Sequence, residues 1–132
     1  MKKVWEKHNL PKSDTQQPSE KSNPTCNLRL SQAGYKVDGQ KIDQTTYFRN
    51  EVFSECKWEK TYIPVELEIN GKSYGEYKLK VTHELHRESN QDNVTTILHW
   101  EDAIQALTEN DVTGEDLTFE KNEDGSYKIN IH

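Results

Sequence analysis

Apolar and polar residues alternate most cleanly at Ile63, Val65, Leu67 and Ile69, with Pro64, Glu66 and Glu68 between them. A period of two marks a strand with one buried face, and Asn70-Gly71 directly after it is the strongest short signal for a hairpin. The return strand puts Tyr77, Leu79 and Val81 on one face and Glu76, Lys78 and Lys80 on the other, with Gly75 suited to a bulge. Pro64 has no N–H to offer a neighbouring strand, which predicts an edge position or a strand start. Shorter strands are expected from Asn27 through Leu28 and Leu30, and over residues 94–100. A second hairpin runs from Leu117 and Phe119 through the Glu123-Asp124-Gly125 turn to Tyr127, Ile129 and Ile131.

The period lengthens to that of a helix in one place. Trp100, Ala103, Ile104 and Leu107 share a helical face, and Glu101 and Asp102 suit the positive end of its dipole. Asn110-Asp111 and Thr113-Gly114 stop it. Phe48, Val52 and Phe53 suit a short helical turn capping the end of a barrel. Short strands, regular turns and little helix give a mainly β domain, a small open barrel or sandwich. Residues 1–26 lack either period. They are rich in Lys, Ser, Thr, Gln, Asn and Pro, with Pro11, Pro18 and Pro24 interrupting any helix, so they read as a disordered tail or linker in front of a domain spanning 27–132.

The 132 residues suit one core, and the apolar share of 31% against 30% charged residues concentrates that core in part of the chain. No apolar run is long enough to cross a membrane and no apolar segment follows the first lysines, so a cytoplasmic protein is expected. In that setting Cys26 and Cys56, outside any CxxC spacing, read as free thiols, and Asn93-Val94-Thr95 as a sequon without use. Net charge is −6, yet residues 101–132 hold nine acids against two bases, while residues 27–100 hold eleven acids against ten bases. A surface facing nucleic acid is electrostatically admissible on the earlier part, provided the acidic quarter faces elsewhere.

Catalytic signatures are weak. His83 and His86 are three apart at a strand end, whereas a zincin needs two histidines four apart on a helix plus a third ligand. An acid followed by Glu-x-Lys is the metal-binding set of a magnesium nuclease. Glu55-Cys56-Lys57 after Asp43, and Glu76-Tyr77-Lys78, supply those letters in a chain where Glu and Lys are common. No nucleophile elbow or phosphate-binding glycine loop is present, and no cofactor is expected.

Function then falls to polar loops carried on a rigid shell. Residues 31–41 carry Gln32, Tyr35, Lys36, Gln40 and Lys41; residues 83–93 carry His83, Arg87, Ser89, Asn90, Gln91 and Asn93. Arginine pairs with guanine edges, Asn and Gln with adenine, and Lys and Ser with phosphates. The run from Thr82-His83 through Glu88, Gln91 and Asn93 to Thr95-Thr96-Ile97-Leu98-His99-Trp100 resembles the C-terminal recognition domain of phospholipase-D-type restriction endonucleases. That domain is related to the plant B-three DNA-binding pseudobarrel. The helix, the stretch from Asn110-Asp111 to Phe119 and the final hairpin are similar to the end of a B-three domain. The resemblance implies an open barrel of seven strands with short helices at its ends, and two arms that grip the major groove.

On that resemblance residues 31–41 form the N-terminal arm and 83–93 the C-terminal arm. Arg87, Asn90 and Asp92 stand where the family carries smaller residues. The family cleaves from a separate domain with an HxK motif, which this sequence lacks. The expected role is therefore a non-catalytic reader of double-stranded DNA in a bacterial restriction system, joined to a nuclease domain upstream or in a separate subunit. A protein interaction module, favoured by net acidity and by the edge that Pro64 suggests, and a small magnesium nuclease using Glu55 or Glu76 are the alternatives.

Overall fold

The longest alternating stretch builds the longest hairpin. In a computed structural model that describes residues 2–10, 27–30, 36–37, 39–43, 46–53, 60–83, 96–110 and 112–132, β5 (Lys60–Ile69) pairs antiparallel with β6 (Lys72–His83). Asn70 at φ 51° and Gly71 at φ 85° make the tight left-handed turn that matches the twist of the strands. The register slips between Leu67 and Glu68, where Gly75 takes φ 97°, so the expected bulge is present. Ile63, Val65, Leu67 and Ile69 are buried with Leu79 and Val81, while Glu76 and Lys78 are exposed.

The remaining strands are β1 (Lys2–Lys7), β2 (Asn27–Leu30), β7 (Thr96–His99), β8 (Leu117–Lys121) and β9 (Tyr127–Ile131), with β3 (Lys36–Val37) and β4 (Gln40–Lys41) forming a small separate hairpin. Among the described residues, the large sheet has seven strands in the order β1, β8, β9, β5, β6, β7, β2 and curls into a half-barrel. Neighbours run antiparallel, except β5 and β9, which are parallel. The fold is mainly β, as the alternation indicated.

Two expectations need correction. Pro64 lies inside β5 and not at its start, and β5 is an interior strand in the order of the sheet. The pairing of β5 with β9 starts at Val65, so the proline stands just ahead of the parallel ladder. Among the described residues it has β6 alone beside it, which accommodates a residue without an N–H. The second correction concerns residues 2–10, which were assigned to the tail. Lys2–Lys7 pairs with β8, Trp5 is fully buried and Leu10 is 1% exposed. The Leu10 N–H donates to the Glu115 carbonyl and the Gly114 N–H to the Leu10 carbonyl. Residues 11–26 lie outside the described residues.

Helical pieces fill the inside of the curl. Residues Phe48–Val52 form one π-helical turn, closed by the Phe53 N–H donating to the Phe48 carbonyl at 2.7 Å. Phe48 meets Trp5 edge-on at 5.8 Å, and Phe53, Phe119 and Tyr127 form an aromatic cluster at 5.5 to 6.0 Å. Two phenols tie the turn down: the Tyr47 Oη donates to the Val4 carbonyl and the Tyr127 Oη to the Val52 carbonyl. After β7, a 3-10 turn (Glu101–Ala103) leads into α1 (Ile104–Asn110), which buries Ala106 and Leu107 beside Trp100 and Ala103. Trp100 and Phe119 are fully buried.

Candidate nucleic-acid interface

The strand pairings fix where the two polar segments begin. Leu30, the last residue of β2, is the partner of Thr96, the first residue of β7, and Thr96 is also the partner of His83, the last residue of β6. Leu30, Thr96 and His83 therefore form one cross-strand row at one end of the sheet. The segment 31–41 departs from the first of them, and residues 84–95 depart from and return to the other two. With strands spaced by about 4.8 Å, the roots at Leu30 and His83 are roughly 10 Å apart.

Lys36 and Lys41 are both exposed and stand directly opposite each other across the β3–β4 ladder. Opposed residues project from the same face, and like charges in that position oppose pairing. An anion between the two ammonium groups removes the penalty, and a phosphate is one such anion. Gly39, at φ 81°, turns the chain between them.

His83 differs from expectation. The sequence places it in an arm facing solvent or DNA, but its side chain is 2% exposed and its Nδ1 lies 2.7 Å from the Thr96 Oγ1, itself fully buried. It belongs to the inner face with Val81 and Leu79. One more step of the alternation from Val81 leads to this position, although the residue is polar and His86 is close in sequence. On the opposite face of the same ladder, the Thr82 Oγ1 lies 3.0 Å from the His99 Nε2. Burial, reinforced by the Lys80 ammonium and partly offset by Glu101, holds the His99 imidazole below its usual range. Gln32, Tyr35, Arg87, Ser89, Asn90, Gln91 and Asn93 lie outside the described residues, as do His86, Glu55, Cys26 and Cys56.

The outer face near the roots carries Arg29, Lys78 and Lys80, with Lys80 3.9 Å from Glu101. Tyr62 is 53% exposed in the row of Lys80 and His99. Of the acidic quarter, Glu109, Glu115 and Asp116 lie toward the end opposite the roots, since Leu117 and Ile131 are level with Ile69. There the Asn9 N–H and His8 hold the Asp116 carboxyl below its usual range. The Glu123-Asp124 turn follows Lys121, which pairs with Tyr127 beside Val65, so it reaches only the middle of β5. Glu76 and Lys78 occupy the solvated face, with Glu76 opposite Glu66. Among the described residues no group of three or more His, Cys, Asp and Glu is placed to hold a metal ion, and no helix is long and apolar enough to cross a membrane. Set against protein families and against curated proteins, the sequence matches none.

Proposed function

We propose that the chain is a sequence-specific reader of double-stranded DNA, the B-three-like recognition domain of a restriction endonuclease, and that cleavage belongs to another domain or subunit. One observation carries the reading: the two polar segments leave the sheet side by side, from the row Leu30, Thr96 and His83. Their roots are separated by roughly 10 Å, and a major groove is about 12 Å wide. Roots at that spacing suit two segments that enter one groove together. A curled seven-stranded sheet is the rigid base such arms require. The opposed Lys36 and Lys41 add a cationic pair suited to a phosphate.

The interaction-module alternative keeps a short margin: among the described residues, 60–64 pair with β6 alone, and β5 has a neighbour on both sides only from Val65. The nuclease alternative keeps no described cluster, since Glu76 and Lys78 face solvent beside Glu66.

Selection from a pool of randomised duplexes tests the reading. Enrichment of a defined sequence, with affinity that falls steeply as salt rises, is the expected result. Failure to retain any duplex at low salt would remove it. Arg87→Ala or Gln91→Ala should change the preference at particular bases, whereas Lys36→Ala should weaken all duplexes alike.

A further inference from the structure

We infer that the outer face of the sheet at the root end binds single-stranded nucleic acid, with Tyr62 as the platform for a base and Lys78, Lys80 and Arg29 as the seats of phosphates. Its residues lie outside the segments 31–41 and 84–95. The strand pairings bring them together. Tyr62 stands opposite Lys80, and Pro64 opposite Lys78, across the β5–β6 ladder. Lys80 is in turn opposite His99, and one row on Ile97 is opposite Arg29. Opposed residues share a face, and the residues that alternate with them, Ile63, Leu79, Val81 and Leu98, are buried on the other side. Three strand spacings of about 4.8 Å separate Tyr62 from β2, so the face is roughly 14 Å wide.

Two features set this face apart from an ordinary solvated sheet. The first is the ring. Among the described residues Tyr62, at 53% exposure, is the one large apolar side chain that stands out into solvent. The Lys72 ammonium lies over Tyr74 at 5.2 Å, whereas among the described residues no ring or cation covers Tyr62. The second is the sign of the charge. Lys78, Lys80 and Arg29 stand in cross-strand rows that hold no acid. Beyond Pro64 the same face changes character: Glu66 is opposite Glu76, and Lys128 is taken by Glu68 at 3.4 Å. Among the described residues Lys78 is in no ion pair, and Lys80 reaches Glu101, in the turn after β7, at 3.9 Å.

Cations around an uncovered ring suit a ligand that offers anions and flat faces at short intervals. A single strand does so, since its phosphates meet the cations while an unstacked base lies on the phenol ring. A duplex keeps its bases stacked inside and can offer this ring only its backbone. Glu101 bounds the site. It holds φ 49°, a left-handed conformation that favours glycine, and its carboxylate competes with a phosphate for Lys80. Removing that charge should strengthen binding, the opposite of removing Lys80.

The test titrates the full chain with a fluorescent oligothymidylate of about 12 nucleotides, an abasic strand of equal length and a duplex of equal length. The parent should hold the thymidylate strand at least about fivefold more tightly than the abasic one, the lower end of what one stacked base contributes. Tyr62→Ala should erase that difference and Tyr62→Phe should keep it. Lys78→Ala with Lys80→Ala should reduce the slope of log affinity against log salt by about 1.4, two contacts at roughly 0.7 each. Glu101→Gln should raise affinity, and unchanged melting shows that each variant is folded. Equal affinity of the parent for the thymidylate and abasic strands overturns the inference, as does displacement of the strand by polyglutamate. So does a duplex that binds more tightly than the strand and is lost in Tyr62→Ala. A duplex held undiminished by Tyr62→Ala supports two separate sites, and a strand retained where no duplex is retained removes the DNA-reading function and leaves this one.

Discussion

His99 makes the stability of the fold sensitive to pH below 6.5. Its pKa is lowered from 6.5 in the folded protein, chiefly by burial and further by Lys80. As pH falls through 6.5, the unfolded chain takes up the proton first, so stability present above that value declines below it. The decline ends once the folded ring is also protonated. His99→Gln keeps a hydrogen-bonding group beside Thr82 and should flatten this part of the profile, read from urea melts above and below 6.5. Gly71 supplies a second residue-scale expectation. No atom lies within 4 Å of an added Cβ, but its φ of +85° strains any other residue. Gly71→Ala should therefore cost about 1 kcal/mol through the backbone alone, checked by the shift in urea midpoint at constant slope. The Asn70-Gly71 turn and the Gly75 bulge were legible because backbone demands of that kind restrict residue type. His83 was not legible as a buried residue, because a polar side chain at a strand end hides the alternation running through Leu79 and Val81.

Among the elements, β1 was the one hidden from the pattern. A strand shows itself by a period of two, yet Val4 and Trp5 are adjacent and both buried. The register slips between Lys3 and Trp5, and this irregularity turns two successive side chains inward, which erases the alternation. The lysines around them and the proline-rich stretch that follows completed the resemblance to a tail. The assigned tail therefore contains one wall of the core. Trp5→Ala should cost about 3–5 kcal/mol, the usual range for emptying a large aromatic site, and removing residues 1–10 should abolish cooperative melting. A truncated chain that melts as the full one does would contradict the pairing of β1 with β8. By contrast, β5, β8 and β9 were legible because each alternates without interruption, and β6 because its alternation is regular beyond the Gly75 bulge. Their order in the sheet was not, since nothing local announces that β5 and β9 run parallel or that Pro64 lies inside the sheet.

At the scale of the whole molecule the question is how a chain of charge −6 approaches a polyanion. The sheet sets one acidic pair apart from the roots. Its far end carries Glu115 and Asp116 near the start of β8, whereas the root end leads into segments where Lys36, Lys41 and Arg87 stand among Asp38, Glu84, Glu88 and Asp92. Across the span from Ile69 back to Lys60, roughly 30 Å at the rise of a strand, the repulsion is screened, because the Debye length at physiological salt is about 8 Å. Local charge therefore decides the encounter, and net charge has little influence. The slope of log affinity against log salt counts phosphates neutralised, roughly 0.9 for each. Lys36→Ala combined with Lys41→Ala should reduce that slope by between about one and two and leave base preference unaltered. Glu115→Gln with Asp116→Asn, at the other end, should change neither slope nor preference. If instead the acidic pair governed the slope and the lysines did not, DNA would have to lie against the opposite end of the sheet, and the shared row at Leu30, Thr96 and His83 would lose its functional meaning.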